Sequence, residues 1–184
     1  MARQLASAAS AQTSGSAPTP VKRGIGATAP ASGGGPASSQ QKALAAAATV
    51  ITCTPSIFGD FNGYQYNTIV FLGTWDYGGS VDCQSSDGTL VSMSFMQVDV
   101  DLLLNGAQYS RAPTDQCSGT GCNFAITGAS AFCITCNGTW TVRMTSHLSL
   151  PPGFTWTNLG PGCRPAIINP TTDIVCVTEG STTL

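Results

Sequence analysis

The sequence predicts an all-β fold: a disulfide-stapled, immunoglobulin-like β-sandwich preceded by a disordered N-terminal arm. After residue 50, apolar and polar residues alternate with a period of two, and turn residues interrupt this alternation at short intervals. All eight cysteines fall in the same lysine-free region, as Cys53, Cys83, Cys117, Cys122, Cys133, Cys136, Cys163 and Cys176. An even cysteine set in such a region is typical of a small extracellular domain with up to four disulfides.

The arm is predicted over residues 1–49. It is rich in Ala, Ser, Gly and Pro, lacks aromatic residues, and carries four basic residues and no acid. This composition buries too little apolar surface to offset the entropy of ordering, so the domain at residues 50–184 is expected to fold without it. The domain carries three arginines against nine acids, a net charge of 3 − 9 = −6. The arm is either a plain linker or a segment that docks on an acidic surface.

Charge and hydropathy exclude two classes of partner. The acidic domain has no basic stripe and would repel phosphate, so nucleic acid is not expected as a ligand. No run approaches the roughly 18 apolar residues of a membrane-spanning helix. The cysteines predict a secreted protein, although residues 1–49 do not follow the pattern of a secretory signal peptide.

The clearest strand pattern covers residues 91–95 and 98–104. Its apolar residues change from odd to even positions, which predicts a β-bulge near Met96 and Gln97. Asn105-Gly106 follows and predicts a type I′ hairpin turn, with Leu104 opposite Ala107 and Leu102 opposite Tyr109.

A second strand is predicted at residues 140–150, with Trp140, Val142 and Met144 on its apolar face. Two prolines at positions 151 and 152 end it. Shorter candidates are residues 49–54, 68–75, 80–84, 123–126, 131–135, 166–168 and 173–178. Short strands at this spacing favour a sandwich.

The order of these features resembles a group of small secreted β-sandwich proteins of actinomycete type. In that group, a strand of the kind seen in Cys136-Asn137-Gly138-Thr139-Trp140-Thr141-Val142 runs into a turn like Pro151-Pro152-Gly153-Phe154. The resemblance covers residues 51–178. The layout is also similar to the adaptor subunit of secreted umbrella toxin particles, which implies a subunit that joins other proteins, partly through its N-terminal segment.

Candidate chemistry is sparse. The Cys117–Cys122 and Cys133–Cys136 spacings suit either zinc knuckles or local disulfides, and Cys133-Ile134-Thr135-Cys136 also has thioredoxin-like spacing. His147, the only histidine, has no nucleophile motif to serve. Asp99 and Asp101 alternate onto one strand face, where they form either a carboxylate pair for glycosidase or calcium chemistry or the solvated face of an amphipathic strand. We therefore predict no enzymatic activity and no cofactor.

Aromatic residues crowd residues 58–77 among Asn and Gly. Rings left exposed there would suit a sugar ring or a protein hot spot, and the candidate contacts are Tyr64, Tyr66, Trp75 and Tyr77. The sequence thus predicts a secreted protein-binding module, an adaptor or structural subunit of an extracellular, toxin-type assembly. The alternatives are a glycan- or cell-wall-binding module that stacks sugars on Trp75 and Tyr77, and an inhibitor of secreted proteases that presents the loop between Cys117 and Cys122.

Overall fold

The computed structural model describes residues 19–28, 31–34, 49–67, 69–86 and 91–184. Throughout these residues the regular structure is β, in two antiparallel six-stranded sheets that enclose one core. The predicted all-β, disulfide-stapled sandwich is therefore confirmed. The strands are β1 Thr19–Thr28, β2 Ala31–Gly34, β3 Val50–Tyr66, β4 Ile69–Ser85, β5 Phe95–Leu104, β6 Ala107–Arg111, β7 Asp115–Ser118, β8 Phe124–Thr135, β9 Thr139–Ser149, β10 Thr155–Asn158, β11 Cys163–Pro165 and β12 Asp173–Thr183.

Sheet A has the strand order β10-β2-β3-β4-β8, with β1 also paired to β3. It is built on the β3–β4 hairpin, whose two strands are 17 residues long. The sequence predicted three short strands over this stretch because its glycines look like turn signals. In the structure Gly78 admits the ring of Phe58, since a Cβ atom at residue 78 would lie 2.4 Å from Phe58 Cζ. Gly128 likewise lies under this ring, and the two segments predicted around it form the single strand β8.

Sheet B has the strand order β11-β12-β9-β5-β6, with β7 also paired to β5. The predicted hairpin is confirmed: Asn105 and Gly106 have φ values of 52° and 82°, and Leu104 lies opposite Ala107. The next predicted pair is wrong. The register shifts between Leu102 and Leu103, so Leu102 faces Ser110 instead of Tyr109.

The bulge predicted near residues 96 and 97 is also wrong, because β5 begins only at Phe95 and pairs regularly with β9 through that point. The change of alternation marks the start of the strand. Residues 91–94 are irregular, although Met93 is fully buried. Residues 166–168, predicted as a strand, belong to the loop between β11 and β12.

The core lies between the inner faces of the two sheets. β9 contributes the predicted apolar face, and Trp140, Val142 and Met144 are fully buried. Trp75 of sheet A makes two tilted ring contacts, with centroid distances of 5.3 Å to Phe61 in the same sheet and 5.4 Å to Trp140 in sheet B. Large rings on both inner faces thus fill the space between the layers.

All eight cysteines form disulfides, which confirms the predicted set of staples. The pairs are Cys53–Cys83, Cys117–Cys122, Cys133–Cys136 and Cys163–Cys176. The zinc-knuckle alternative is thereby excluded, because the sulfur atoms that would bind zinc as thiolates are oxidised to disulfides. Within the described part of the chain, no group of His, Cys, Asp and Glu could hold a metal ion.

Two segments of the predicted arm form strands that extend sheet A. β1 pairs with residues 56–65 of β3, and β2 pairs with residues 50–53. Ile25 on β1 is 8% exposed and packs against Gly59 of sheet A and Gly180 of sheet B, where a Cβ atom at residue 180 would lie 2.6 Å from Ile25 Cγ2. The composition of residues 1–49 did not indicate this contact, because a single isoleucine is enough to pack β1 against the sheets where glycines leave space for it. The rest of the predicted arm lies outside the described residues.

Candidate functional site

The four aromatic residues predicted as contacts divide between the two faces of sheet A. Trp75 and Tyr77 are buried, at 0% and 1% exposure, whereas Tyr64 and Tyr66 are 52% and 41% exposed. The predicted stacking platform of Trp75 and Tyr77 is therefore wrong, because both stand at inward-facing positions of β4. Burial raises the pKa of Tyr77, and its hydroxyl donates a hydrogen bond to Ser110 Oγ at 2.8 Å.

An exposed apolar group lies where β3 and β4 meet, and we call it the hairpin-end patch: Tyr64, Tyr66, Ile69 and Leu72. Ile69 and Leu72 are 53% and 46% exposed, and Ile69 lies directly opposite Tyr66. The register of β3 and β4 shifts just beside Leu72, whose φ is 47°. A leucine seldom adopts positive φ, so this irregular backbone holds an apolar side chain in solvent.

A second apolar group follows the outer face of β8, and we call it the β8 row: Phe124, Ile126, Phe132 and Ile134. Each is at least half exposed, up to 69% for Ile134. The row adjoins the hairpin-end patch through Thr74 of β4, which lies opposite Phe132. No charged residue occurs between Gln116 and Val142 in the sequence.

The centre of the outer face of sheet A is polar and shallow. The Phe58 ring lies over two glycines and is 43% exposed, and Asp60 lies directly opposite Asp76 on the neighbouring strand. The Ser130 hydroxyl donates a hydrogen bond to Asp76. An open cleft of about 410 Å³ lies here, lined by Arg23, Gly24, Asp60, Phe61, Asn62 and Asp76.

The outer face of sheet B has a different character. A charge-alternating ladder crosses four strands, and its members face one another in the order Glu179, Arg143, Asp101 and Arg111. Arg143 pairs with Glu179, and Arg111 binds both carboxylate oxygens of Asp101 at 2.7 and 3.1 Å. The charges of this ladder are therefore matched within the sheet itself.

The predicted carboxylate pair on β5 belongs to this face. Asp101 is held by Arg111, and Asp99 accepts hydrogen bonds from Thr114 Oγ1 at 2.5 Å and Gln97 Nε2 at 2.6 Å. Both carboxylates thus already have protein donors. Partial burial alone would raise the pKa of Asp99, but these hydrogen bonds and the electrostatic effect of Arg111 and His147 outweigh it and lower the pKa.

A groove of about 760 Å³ lies on sheet B between strands β9 and β12 and residues 164–168. His147 and Arg164 line it, and Ile167 and Ile168 beside it are 101% and 74% exposed. Sequence reasoning missed these two isoleucines because residues 166–168 were predicted as a strand. Their position between Pro165 and Pro170 was the available sign of a loop.

The loop between Cys117 and Cys122 is a tight turn. Gly119 and Gly121 have φ values of 70° and 83°, and the four residues between the cysteines are Ser, Gly, Thr and Gly. The loop presents no large side chain, and its use as a protease-binding loop stays a prediction.

Comparison with protein-family models, with curated proteins and with solved structures finds no match to this chain. The resemblance to umbrella toxin adaptors therefore stays a prediction. Across the described residues, no helix is long and apolar enough to cross a membrane.

Proposed function

We propose that this chain is a secreted protein-binding module, an adaptor or structural subunit of an extracellular assembly, and that the hairpin-end patch is its contact surface. Four disulfides support an oxidising, extracellular setting. The observation that carries the proposal is the group of four large apolar side chains held in solvent at one end of sheet A.

The chemistry of the patch suits a protein partner. Tyrosine is enriched at the centres of protein interfaces, where its ring is buried and its hydroxyl finds a partner. Burying one large apolar side chain contributes about 1.5–3 kcal/mol, so covering Ile69, Leu72 and two tyrosines would support stable association. The adjoining β8 row extends the apolar surface.

The test uses the full chain as bait in culture supernatant of the producing organism, followed by calorimetry with the captured protein. The variant Tyr64→Ser with Ile69→Ser removes two members of the patch. The control, Ile167→Ser, removes an even more exposed isoleucine from the loop between β11 and β12, outside the patch. We expect the double variant to weaken binding at least about tenfold and the control to bind like the native chain. Unchanged binding by the double variant would contradict the proposal.

A second candidate function is glycan binding at the centre of sheet A. It is favoured by the exposed Phe58 ring over Gly78 and Gly128 and, on the same sheet, by the shallow cleft that Asp60, Asn62 and Asp76 line. A sugar ring can stack on an aromatic face while carboxylates and amides bind its hydroxyls.

Glycan binding makes a separate prediction, because Asn62 and Asp76 lie outside the hairpin-end patch. Retention of the native chain on insoluble polysaccharide, lost in Asn62→Ala with Asp76→Asn but kept in Tyr64→Ser with Ile69→Ser, would favour this candidate. Retention that survives Asn62→Ala with Asp76→Asn, or no retention of the native chain, would contradict it.

A further inference from the structure

β8 forms a free edge of sheet A, because it pairs with β4 on one side only. On its other side, the Ile126 N–H donates to Asp115 Oδ2 at 2.9 Å, and the Phe132 carbonyl accepts from the Tyr109 hydroxyl at 2.7 Å. Since backbone groups alternate sides along a strand, the N–H and C=O groups of Gly128 and Ser130 point away from β4 as well. Among the described residues, these backbone groups have no hydrogen-bond partner on that edge.

Between the hydrogen bonds from Ile126 to Asp115 and from Tyr109 to Phe132, the edge lacks the features that keep edge strands apart in soluble proteins. Such edges usually carry a charged side chain, a proline or a bulge. β8 has neither charge nor proline over its 12 residues, and it pairs with β4 without a register shift. Its outward side chains are apolar at both ends and small in the middle. An edge of this kind is a template for another strand.

The outward residues of β8 are arranged almost symmetrically about Ala129. An antiparallel copy of the strand, related by a two-fold axis at Ala129, places three kinds of residue pair opposite each other: Phe124 with Ile134, Ile126 with Phe132, and Gly128 with Ser130. Aromatic side chains opposite β-branched side chains are favourable cross-strand pairs. No like charges meet anywhere in this register.

We propose that two copies of this chain associate through β8, antiparallel about a two-fold axis at Ala129. Gly128 of each copy exchanges two backbone hydrogen bonds with Ser130 of the other, which gives four bonds at the centre. Asp115 and Tyr109 hold the next pair of backbone groups and limit the ladder to that centre. The Ile126–Phe132 contacts flank it. This inference goes beyond the proposed function, because its partner is a second copy and its surface is the β8 edge.

Association through β8 would continue sheet A from one copy into the other. The two outer faces then lie side by side, with one hairpin-end patch on each copy. A module with two patches binds a divalent or repetitive partner more tightly than a single copy, since the second contact forms within the complex. A short ladder with two side-chain contacts predicts a weak dimer with a micromolar dissociation constant.

The experiment is sedimentation equilibrium of the oxidised full chain, from low micromolar to millimolar concentration. We expect a monomer–dimer equilibrium for the native chain. The variant Ile126→Lys with Phe132→Lys places lysines opposite one another and should weaken the dimer by about thirtyfold or more. The variant Ile126→Lys with Phe132→Glu places opposite charges in the same pair and should dimerise within about tenfold of the native chain.

Both variants change the same two exposed positions, so differences in folding are controlled by comparing them with each other. Circular dichroism and the absence of free thiols would verify each fold. The proposal is overturned by a native chain that stays monomeric up to millimolar concentration. It is equally overturned by a dimer that tolerates the two lysines, because that dimer uses another surface or another register.

Discussion

The outer faces of the two sheets differ in the side chains that they expose to solvent. On sheet B, the ladder of Glu179, Arg143, Asp101 and Arg111 matches each charge with a neighbour in the same sheet. On sheet A, Asp60 faces Asp76, and apolar side chains at the hairpin end and along β8 remain in solvent. Both sheets share one core, so the difference lies only in what each presents outward. The difference marks sheet A as the face that carries the proposed contact surface.

Sheet B shows that this exposure is no general property of the chain. The same sequence that leaves Ile134 69% exposed on one sheet positions Arg111 for a two-point contact with Asp101 on the other. The loop between β11 and β12 is an exception on sheet B. Its Ile167 and Ile168 side chains are exposed beside the sheet surface. Substitutions at the inner face of sheet A, on β1 and on the outer face of sheet B separate the positions that this comparison distinguishes.

The largest effect is expected at the inner face of sheet A. Trp75→Ala removes a fully buried ring that contacts Phe61 and Trp140, and it should lower the free energy of unfolding by about 3–5 kcal/mol. Tyr64→Ser on the outer face should change it by no more than about 0.5 kcal/mol. Urea unfolding followed by tryptophan fluorescence measures the first against the native chain. Equal losses for the two variants would mean that the outer patch is part of the core.

The next effect concerns the N-terminal strand. Ile25→Ala empties the space between Gly59 and Gly180 and should lower the free energy of unfolding by about 2 kcal/mol or more, because the glycines cannot collapse into the gap. The control is Arg23→Ala on the same strand, whose side chain is exposed. Denaturant titration of both variants decides the matter. If Ile25→Ala behaves like the control, β1 does not contribute to the stability of the sandwich.

The smallest effect is a pH dependence on the outer face of sheet B. Because the folded protein lowers the pKa of Asp99 below its ordinary value of 3.8, Asp99 stabilises the fold above that value and loses this contribution as the pH falls through its folded pKa. Asp99→Asn should therefore show a shallower loss of stability on acidification. Thermal unfolding between neutral and acid pH compares the two proteins. Parallel curves would show that Asp99 has the same pKa in both states.

The fold class was predictable because it depends on period and on turn chemistry. The alternation of β9 and the Asn105-Gly106 turn are local signals, and the structure has both. The β3–β4 hairpin was not predictable at its true length, since its glycines have a tertiary cause. Gly78 leaves space for the ring of Phe58, and the residues next to Gly78 in the sequence do not indicate that the ring lies there.

The candidate site was predictable in composition and less so in detail. The cluster of aromatic residues at 58–77 correctly indicated the β3–β4 hairpin. Whether a ring points outward, like Tyr64, or inward, like Trp75, depends on the strand register, and a shift of one residue reverses it. The register shift beside Leu72 introduces one such extra residue into β4. The symmetry of the outward residues of β8 about Ala129 was not predictable, because the sequence predicted two separate strands, residues 123–126 and 131–135, where the structure has one.

The position of Ile25 also bears on how the chain reaches its final form. Its neighbours Gly59 and Gly180 belong to different sheets and are far apart in the sequence. Contacts between distant parts of a chain form slowly, because a long loop must close before they contribute. The contact of Ile25 with both sheets is therefore expected to form late in folding, after the strands that carry Gly59 and Gly180 are in place.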